Sequence, residues 1–191
     1  MLHLPTVQNH LSRYIDAGFP ILYIYTYEEA KADRYIASVA GRREVLEWNG
    51  ADGFVNFKTK IPLVSSQTLE STLAFLKTGK ELNRKLLVIK DADEQLDPNG
   101  QRKSDKVIAL LKEIARKIRK EDGGIDATVI IVSSVLHIPQ ELEKLITVLE
   151  LDLPDEAEIS RIIDQFTRDN EISAGPADFQ AELVTAFKGV S

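Results

Sequence analysis

Four carboxylates follow one strongly apolar stretch of the chain, and they are the residues most suited to acid–base or metal chemistry. The stretch Leu86–Ile89 is predicted to be a buried strand, and the acids after it are Asp91, Asp93, Glu94 and Asp97. Paired carboxylates at the carboxyl end of a strand could bind a cation or act as acid and base. The same residue types also cap loops and helix starts, and the adjacent Lys90 favours this second interpretation.

The junction between the predicted strand Ile21–Tyr25 and the helix after it reads Thr26-Tyr27-Glu28-Glu29. A phosphate-binding loop at such a junction needs glycines, whose backbone N–H groups can converge on the anion, and a lysine to meet its charge. This turn has neither, and its two glutamates occupy the positive end of the helix dipole. Thr26, with Glu29 three residues later, has the form of a capping box. We therefore predict that the junction closes a helix and does not hold a phosphate.

Aromatic and imidazole side chains are weaker candidates. Tyr23, Tyr25 and Tyr27 alternate along and just past the first strand, which would permit a base-stacking platform. In a central strand of a covered sheet, however, such rings are expected in the core. Trp48 could line a ligand pocket, although packing against a neighbouring helix is the expected use. His137 has no matching serine or acid motif and is expected to be structural.

Composition limits the classes of protein and of site. The 191 residues suit one α/β domain, or one domain with part of a second. The absence of cysteine excludes a disulfide, a thiolate zinc site and a cysteine nucleophile, and the three histidines are too scattered for a metal site. The net charge of −6 argues against a general nucleic-acid binder. No apolar run approaches the ~20 residues that span a bilayer, so no membrane partner is expected and the predicted location is the cytoplasm.

Strand and helix patterns alternate along the chain. Short apolar runs predict strands at Ile21–Tyr25, Val45–Trp48, Phe54–Phe57, Leu86–Ile89, Val129–Val132 and Thr147–Leu151. Segments with helical spacing separate these runs, and two further helices are predicted at Glu156–Phe166 and Phe179–Phe187. Such alternation predicts βαβ crossovers and a mostly parallel sheet that is covered on both faces.

Several short signatures in a fixed order resemble the AAA family of ATPases. They are Lys90-Asp91-Ala92-Asp93 after a strand, Ser133-Ser134 at a later strand end, Ile138-Pro139-Gln140-Glu141-Leu142, and Leu151-Asp152-Leu153-Pro154-Asp155-Glu156. The phrases Thr26–Ala30 and Glu47–Gly50 are similar to the N-terminal half of one subgroup. Its members occur in cyanobacteria, algal chloroplast genomes and other bacteria, and a domain without a phosphate loop there precedes an active AAA domain.

This resemblance implies a three-layer α/β/α fold with a five-stranded, mostly parallel sheet. The implied spatial order is last strand, first, fourth, third and second, that is, 5-1-4-3-2. It also implies an AAA-like domain without a phosphate-binding loop over residues 1–153 and the beginning of a helical lid over residues 154–191. Because such lids contain several helices, the lid is expected to be truncated and the chain to be the N-terminal part of a longer protein.

The resemblance also places the family's functional positions on this sequence. The phosphate loop falls on Thr26, Glu28 and Glu29, the magnesium-binding aspartate on Lys90, the catalytic glutamate on Asp91, and the sensor residue near Ser134. Where the family offers an arginine to a neighbouring subunit, this chain has Glu143 and Lys144. An ammonium group at a divalent-cation position is repulsive. These positions are therefore predicted to be vestigial, with no catalytic residue, cofactor or metal in this segment.

The function that the resemblance implies is a non-hydrolysing regulatory or assembly domain of a larger AAA-family ATPase. ATP and magnesium are expected in a downstream domain, and the partners are that domain of the same polypeptide or neighbouring subunits. Two alternatives stay open. One is a divergent ATPase that uses Asp91 with an unconventional phosphate loop. The other is a nucleic-acid-binding adaptor that uses the basic segment Arg102–Lys120, although Asp105 and Glu113 within it favour an ordinary surface helix.

Overall fold

The computed structural model describes residues 7–64, 68–78, 80–119, 124–151, 156–170 and 182. In these ranges the helices are α1 (Val7–Asp16), α2 (Glu29–Val39), α3 (Leu69–Leu76), α4 (Asp93–Leu96), α5 (Asp105–Ile118) and α6 (Glu156–Asp169). The strands are β1 (Ile21–Tyr25), β2 (Glu44–Asn49), β3 (Gly53–Asn56), β4 (Lys85–Ile89), β5 (Ala127–Ser133) and β6 (Ile146–Glu150). The helix predicted at Phe179–Phe187 lies outside the described residues, apart from Glu182.

The strands form one sheet in the order β3-β2-β4-β5-β1-β6. All neighbouring pairs are parallel except β2 and β3, which are antiparallel. The predicted order of five strands is therefore confirmed, but the sheet has six strands and not five. The additional strand arises because the turn after Asn49 reverses the chain, so that Trp48 pairs with Phe54 at the sheet edge.

Each face of the sheet carries its own hydrophobic layer. Successive side chains of a strand point to opposite faces, so Ile21 and Tyr23 pack with α3 and α5, while Leu22 and Ile24 pack with α1 and α2. Both faces of the inner strands are covered, which explains why these strands are continuous apolar runs in the sequence. The predicted three-layer α/β/α class is confirmed.

Two helices on one face begin with side-chain caps. The Thr68 hydroxyl accepts a hydrogen bond from the Ser71 N–H at 3.2 Å, and the Ser104 hydroxyl accepts one from the Val107 N–H at 3.2 Å. These bonds satisfy N–H groups that a helix start otherwise leaves without a partner. They fix where α3 and α5 begin, and both helices then bury an apolar stripe against the sheet.

The chain divides into two compact units, Met1–Leu151 and Asp152–Ser191. The first unit contains the whole sheet and helices α1 to α5. Of the second unit the structure describes α6, which begins at the predicted residue, together with Asn170 and Glu182. The lid assignment for residues 154–191 stays a prediction. Every helix in the described part of the chain is too short or too polar to cross a bilayer.

Candidate functional site

The turn between β1 and α2 lies at the carboxyl end of the sheet and is closed by its own hydrogen bonds. The Thr26 N–H donates to the Ser133 carbonyl oxygen at 2.9 Å. The Thr26 hydroxyl accepts from the Glu28 N–H at 2.9 Å and lies 3.3 Å from the Leu151 carbonyl oxygen, to which it donates. Two N–H groups of the turn are therefore already used within the protein. They are the kind of donors that a phosphate-binding loop would present to its ligand.

The predicted capping box between Thr26 and Glu29 does not form. Helix α2 begins at Glu29, and the preceding Glu28, at φ −107° and ψ 73°, makes no side-chain cap hydrogen bond. The threonine hydroxyl instead closes a tighter turn with the N–H two residues on. A Glu29 carboxylate oxygen lies 3.6 Å from the ammonium of Lys90. The prediction was wrong because the Thr26 N–H donates to the Ser133 carbonyl oxygen and the Thr26 hydroxyl accepts from the Glu28 N–H, so both groups of the predicted box have other partners.

Lys90, which directly follows β4, lies at the centre of an ionic cluster in which Lys90 and Glu47 are buried and Glu29 is 53% exposed. Its side chain is only 9% exposed. The Nζ atom lies 2.8 Å from Asp33 Oδ2, 3.6 Å from Glu29 Oε2 and 3.8 Å from Glu47 Oε2. Burial lowers the pKa of Lys90, but the hydrogen bond and the charge of Asp33, together with Glu47 and Glu29, outweigh it, so the pKa is raised. The position predicted to be vestigial therefore carries a protonated ammonium group.

The cluster extends to the loop after β3. The Glu47 side chain is 2% exposed and accepts a hydrogen bond from Asn49 Nδ2 at 2.9 Å and another from Lys60 Nζ. The Lys60 ammonium also lies 4.8 Å from the centre of the Phe57 ring. Sequence reasoning missed Asp33, Glu47 and Lys60. Glu47 could have indicated the cluster, because a charged residue inside a predicted core strand needs a partner of opposite charge when it is buried.

The four acids after β4 do not form one site. Asp91 accepts a hydrogen bond from the Gly50 N–H at 3.0 Å, while Glu94 pairs with Arg102 at 2.5 Å and Asp97 accepts from the Asn99 N–H at 2.9 Å. Each acid therefore holds a different local contact. Among the described residues, no group of three or more histidine, cysteine or acidic side chains is placed to hold a metal ion. Asp91 and Asp97 bind loop N–H groups, as the loop-capping interpretation predicts, but the start of α4 has no side-chain cap and Glu94 forms an ion pair.

Asp91 is held in an unusual backbone conformation. Its φ of 55° lies in the left-handed region, which few residues other than glycine adopt. A methyl group in place of the Gly50 hydrogen would lie 3.1 Å from Asp91 Cβ, so glycine allows the close approach of the two loops. A cavity of about 640 Å³ opens beside this contact, and Trp48, Asp52 and Gln95 are among its lining residues. Trp48 itself is a core residue at 5% exposure.

At the end of β5 it is Ser133, and not the predicted Ser134, that enters a polar network. Ser134 is exposed. The buried Ser133 Oγ lies 2.5 Å from Asp93 Oδ1 and 2.9 Å from the Val135 carbonyl oxygen, and it accepts from the Val135 N–H at 3.0 Å. The Tyr23 hydroxyl donates to the same Val135 carbonyl oxygen at 2.5 Å. The assignment of Ser134 as a vestigial sensor position stays a prediction.

The remaining aromatic candidates divide between the core and the surface. Tyr23 is fully buried, as expected for a central strand. Tyr27 is 71% exposed, and its ring centre lies 6.0 Å from that of Tyr25 in an edge arrangement. His137 Nδ1 lies 3.2 Å from the Asp93 carbonyl oxygen, a contact that agrees with the structural role expected for it. Glu143 and Lys144, which stand at the predicted arginine position, are both exposed.

Comparison with known proteins identifies a matching family and several sequence relatives of this chain. Residues 7–151 match the family model described as the SpoVK-like AAA ATPase, N-terminal domain. Two curated relatives are uncharacterized AAA domain-containing proteins ycf46. The protein from Trieres chinensis is 28% identical over 93% of this chain and 34% of its own length. The protein from Guillardia theta is 28% identical over 77% of this chain and 28% of its own length. The chain thus spans about a third of the length of these relatives.

Solved structures with the same fold have low sequence identity. A chain of the E. coli MS115-1 HORMA:CdnC:Trip13 complex aligns with a TM-score of 0.59 and 12% identity, over 97% of this chain and 73% of that chain. A mutant of RuvB from Thermotoga maritima aligns with a TM-score of 0.56 and 15% identity, over 87% of this chain and 51% of that chain. At these identities the similarity shows a shared fold alone.

Proposed function

Because this chain belongs to the SpoVK-like AAA ATPase N-terminal domain family, we propose that it is a non-hydrolysing regulatory or assembly domain of a larger AAA-family ATPase. The observation that carries this proposal is the buried ammonium group of Lys90. It occupies the position to which the family resemblance assigns a magnesium-binding aspartate. Its partners Asp33, Glu29 and Glu47 are carboxylates of the same chain.

The electrostatics around Lys90 oppose magnesium binding. A divalent cation needs oxygen ligands that are free to approach it to about 2.1 Å. The nearest carboxylates are already held by Lys90, and Glu47 is held by Lys60 as well. A magnesium ion at this place would also face the like charge of the ammonium group at short range. Both effects act against the metal that nucleotide hydrolysis requires.

The β1–α2 turn supports the same function. It has no glycine, the Thr26 hydroxyl is engaged on both sides, and Glu28 and Glu29 bring negative charge to the start of α2. A triphosphate would have to replace these hydrogen bonds and approach two carboxylates. A helix start favours anions only where its N–H groups and its field are available. Here the Glu28 N–H is bound to the Thr26 hydroxyl, and the carboxylates of Glu28 and Glu29 weaken the positive field of the helix start.

The length of the relatives supports the proposed place of nucleotide binding and the proposed partners of this chain. This chain corresponds to about a third of a ycf46 protein, so we assign ATP and magnesium to a domain downstream of it. The partners of this chain would be that domain or the domains of neighbouring subunits. Because a non-hydrolysing domain contributes contacts and not chemistry, its effect should appear in assembly. The cytoplasmic location stays a prediction.

The first experiment measures nucleotide binding by this chain. We expect isothermal titration of residues 1–191 with Mg-ATP to give no saturable heat, because the turn and Lys90 leave no place for the phosphates and their metal. The longer polypeptide, which would contain the downstream domain, serves as the positive control and should bind one nucleotide per chain. Saturable binding of Mg-ATP to residues 1–191 in the micromolar range would refute the proposal.

The second experiment measures assembly. Removal of residues 1–151 from the longer polypeptide should leave the number of nucleotides bound per chain unchanged. The same deletion should shift the oligomer distribution in sedimentation velocity, because this domain would supply contacts between subunits. If the deletion changed neither the oligomer distribution nor the ATPase activity at any protein concentration, the proposed regulatory and assembly role would be wrong.

The two alternatives have less support from the contacts. A divergent ATPase needs the Asp91 carboxylate to face a reacting water, but one of its oxygens is held by the Gly50 N–H. A nucleic-acid adaptor needs free cations, but Arg102, Lys103 and Lys117 pair with nearby acids. Loss of measurable turnover in Asp91→Ala would favour the first alternative. Retention on immobilised DNA that weakens steeply with salt would favour the second.

A further inference from the structure

We propose that Lys90 is a built-in counter-ion that fixes α2 to the carboxyl ends of β2 and β4. The position of α2 is then set by the chain itself and not by a bound ion or ligand. The proposed function concerns the absence of nucleotide hydrolysis, whereas this inference concerns the interaction that fixes the position of α2. Three elements meet at the Lys90 ammonium: α2 through Glu29 and Asp33, β2 through Glu47, and β4 through Lys90 itself.

The two acids of α2 need a cation between them. Glu29 and Asp33 are four residues apart, so they share one face of the helix, and like charges at this spacing destabilise a helix. The face they share is the one turned towards Lys90, whose Nζ atom is within 4 Å of both carboxylates. The Asp33 Oδ1 atom is buried without a hydrogen-bond partner. Ala32 and Ile36 attach α2 to the sheet through apolar contacts, and Lys90 adds an ionic contact with the two acids of the same helix.

Lys90 itself is held rigidly. Its backbone N–H donates to the Trp48 carbonyl oxygen at 2.9 Å, which continues the ladder between β2 and β4 by one residue. Its side chain projects to the same face as Val88, two residues earlier, where α2 packs. The sheet therefore fixes the backbone of Lys90, and the ammonium group positions α2 through Glu29 and Asp33.

The charge balance shows what removal of Lys90 would leave. The cluster contains the carboxylates of Glu29, Asp33 and Glu47 and the ammonium groups of Lys90 and Lys60, a net charge of −1. Without Lys90 the net charge is −2, and the remaining cation, Lys60, is 45% exposed and bound to Glu47. Glu47 would keep its contact with Lys60, but Glu29 and Asp33 would lose the ammonium group that both of them contact. Repulsion would act on α2 first, because α2 carries two of the three acids.

The test is hydrogen exchange of the α2 amides in the complete chain. In Lys90→Met, which keeps the length of the side chain and removes its charge, we expect the amides of Glu29–Val39 to exchange at least tenfold faster. The amides of α5, on the opposite face of the sheet, should change less than threefold. Local opening of one element is what hydrogen exchange resolves. Lys85→Met is the matched control, because Lys85 lies at the other end of β4 and pairs with Glu44 at 3.2 Å. It should leave α2 protection unchanged.

A charge-balanced variant separates the counter-ion role from simple packing. In Lys90→Met combined with Glu29→Gln and Asp33→Asn, α2 protection should return to within threefold of the original chain. If Lys90→Met does not fold, folding of the triple variant with a protected α2 supports the counter-ion role. Unchanged α2 protection in Lys90→Met, equal acceleration in α2 and α5, or a triple variant as unprotected as Lys90→Met would each overturn it.

Discussion

Replacement of the two hydroxyl groups in the network at the end of β5 should have unequal effects on stability. Tyr23→Phe removes one hydroxyl that donates to the Val135 carbonyl oxygen. That oxygen also lies 2.9 Å from Ser133 Oγ, but Ser133 has one hydroxyl proton, and Asp93 Oδ1 at 2.5 Å is its nearer acceptor, so the change removes the donor of this carbonyl. Because the ring stays in the core, the cost is that of this neutral hydrogen bond, about 0.5–1.5 kcal/mol, together with the long 3.4 Å contact from the His137 N–H to the same hydroxyl. Ser133→Ala should cost more.

The larger cost of Ser133→Ala comes from two losses. The Val135 N–H loses its acceptor at 3.0 Å, and the Asp93 carboxylate loses a donor at 2.5 Å. One neutral hydrogen bond and one to a charged group together contribute roughly 2–4 kcal/mol. For a chain of this size each kcal/mol shifts the melting temperature by about 2–4 °C. Tyr23→Phe should therefore lower it by about 1–6 °C and Ser133→Ala by about 4–16 °C.

Urea unfolding followed by tryptophan fluorescence measures both variants, because Trp48 is the single tryptophan and is buried in the core. Equal slopes of the unfolding free energy against urea in all three proteins would show that the differences are in stability. His137→Ala is a useful third variant, since its ring contacts the Asp93 carbonyl oxygen and not the carboxylate. It should cost less than Ser133→Ala. A Tyr23→Phe variant that is destabilised as much as Ser133→Ala would refute this account of the network.

Two further predictions concern pH and helix capping. The free energy of unfolding should fall above pH 10, because burial raises the pKa of Tyr23 from 10.0, and because Asp33, Glu47 and Glu29 outweigh burial and raise the pKa of Lys90 from 10.5. Both folded-state pKa values are raised, so the stability that these groups contribute is complete below the unfolded-state values and is lost as pH rises through the folded-state values. Urea midpoints between pH 8 and pH 11 measure this loss. Tyr23→Phe should show a smaller one, and identical pH profiles for the two proteins would contradict the assignment. Thr68→Ala should cost about 0.5–2 kcal/mol, because it removes the cap on the Ser71 N–H. The exposed Thr78→Ala is its control, and an equal cost for both in thermal unfolding would exclude the cap as the cause.

The core strands could be located from the sequence because their burial on both faces requires unbroken apolar runs. Leu86–Ile89 and Val129–Val132 are of this kind, and both lie inside observed strands. The edge strand β3 was predicted at Phe54–Phe57, one residue from its observed bounds, but the five-stranded sheet that the resemblance implied did not include it. Lys90 and Asp91 could also be identified as departures from the family's chemistry, because that identification needs only residue type and order.

Tertiary structure alone decided which charges meet. Asp33 and Lys90 are 57 residues apart, and their contact depends on a crossover and on strand order, neither of which leaves a local signal. Glu29 makes a second non-local contact with Lys90, at 3.6 Å, and the capping box that its spacing predicted does not form because the Thr26 N–H pairs with Ser133 on a different strand. Residue types along a strand follow from burial, which is local to each face. Ion pairs between elements follow from the register of the whole sheet.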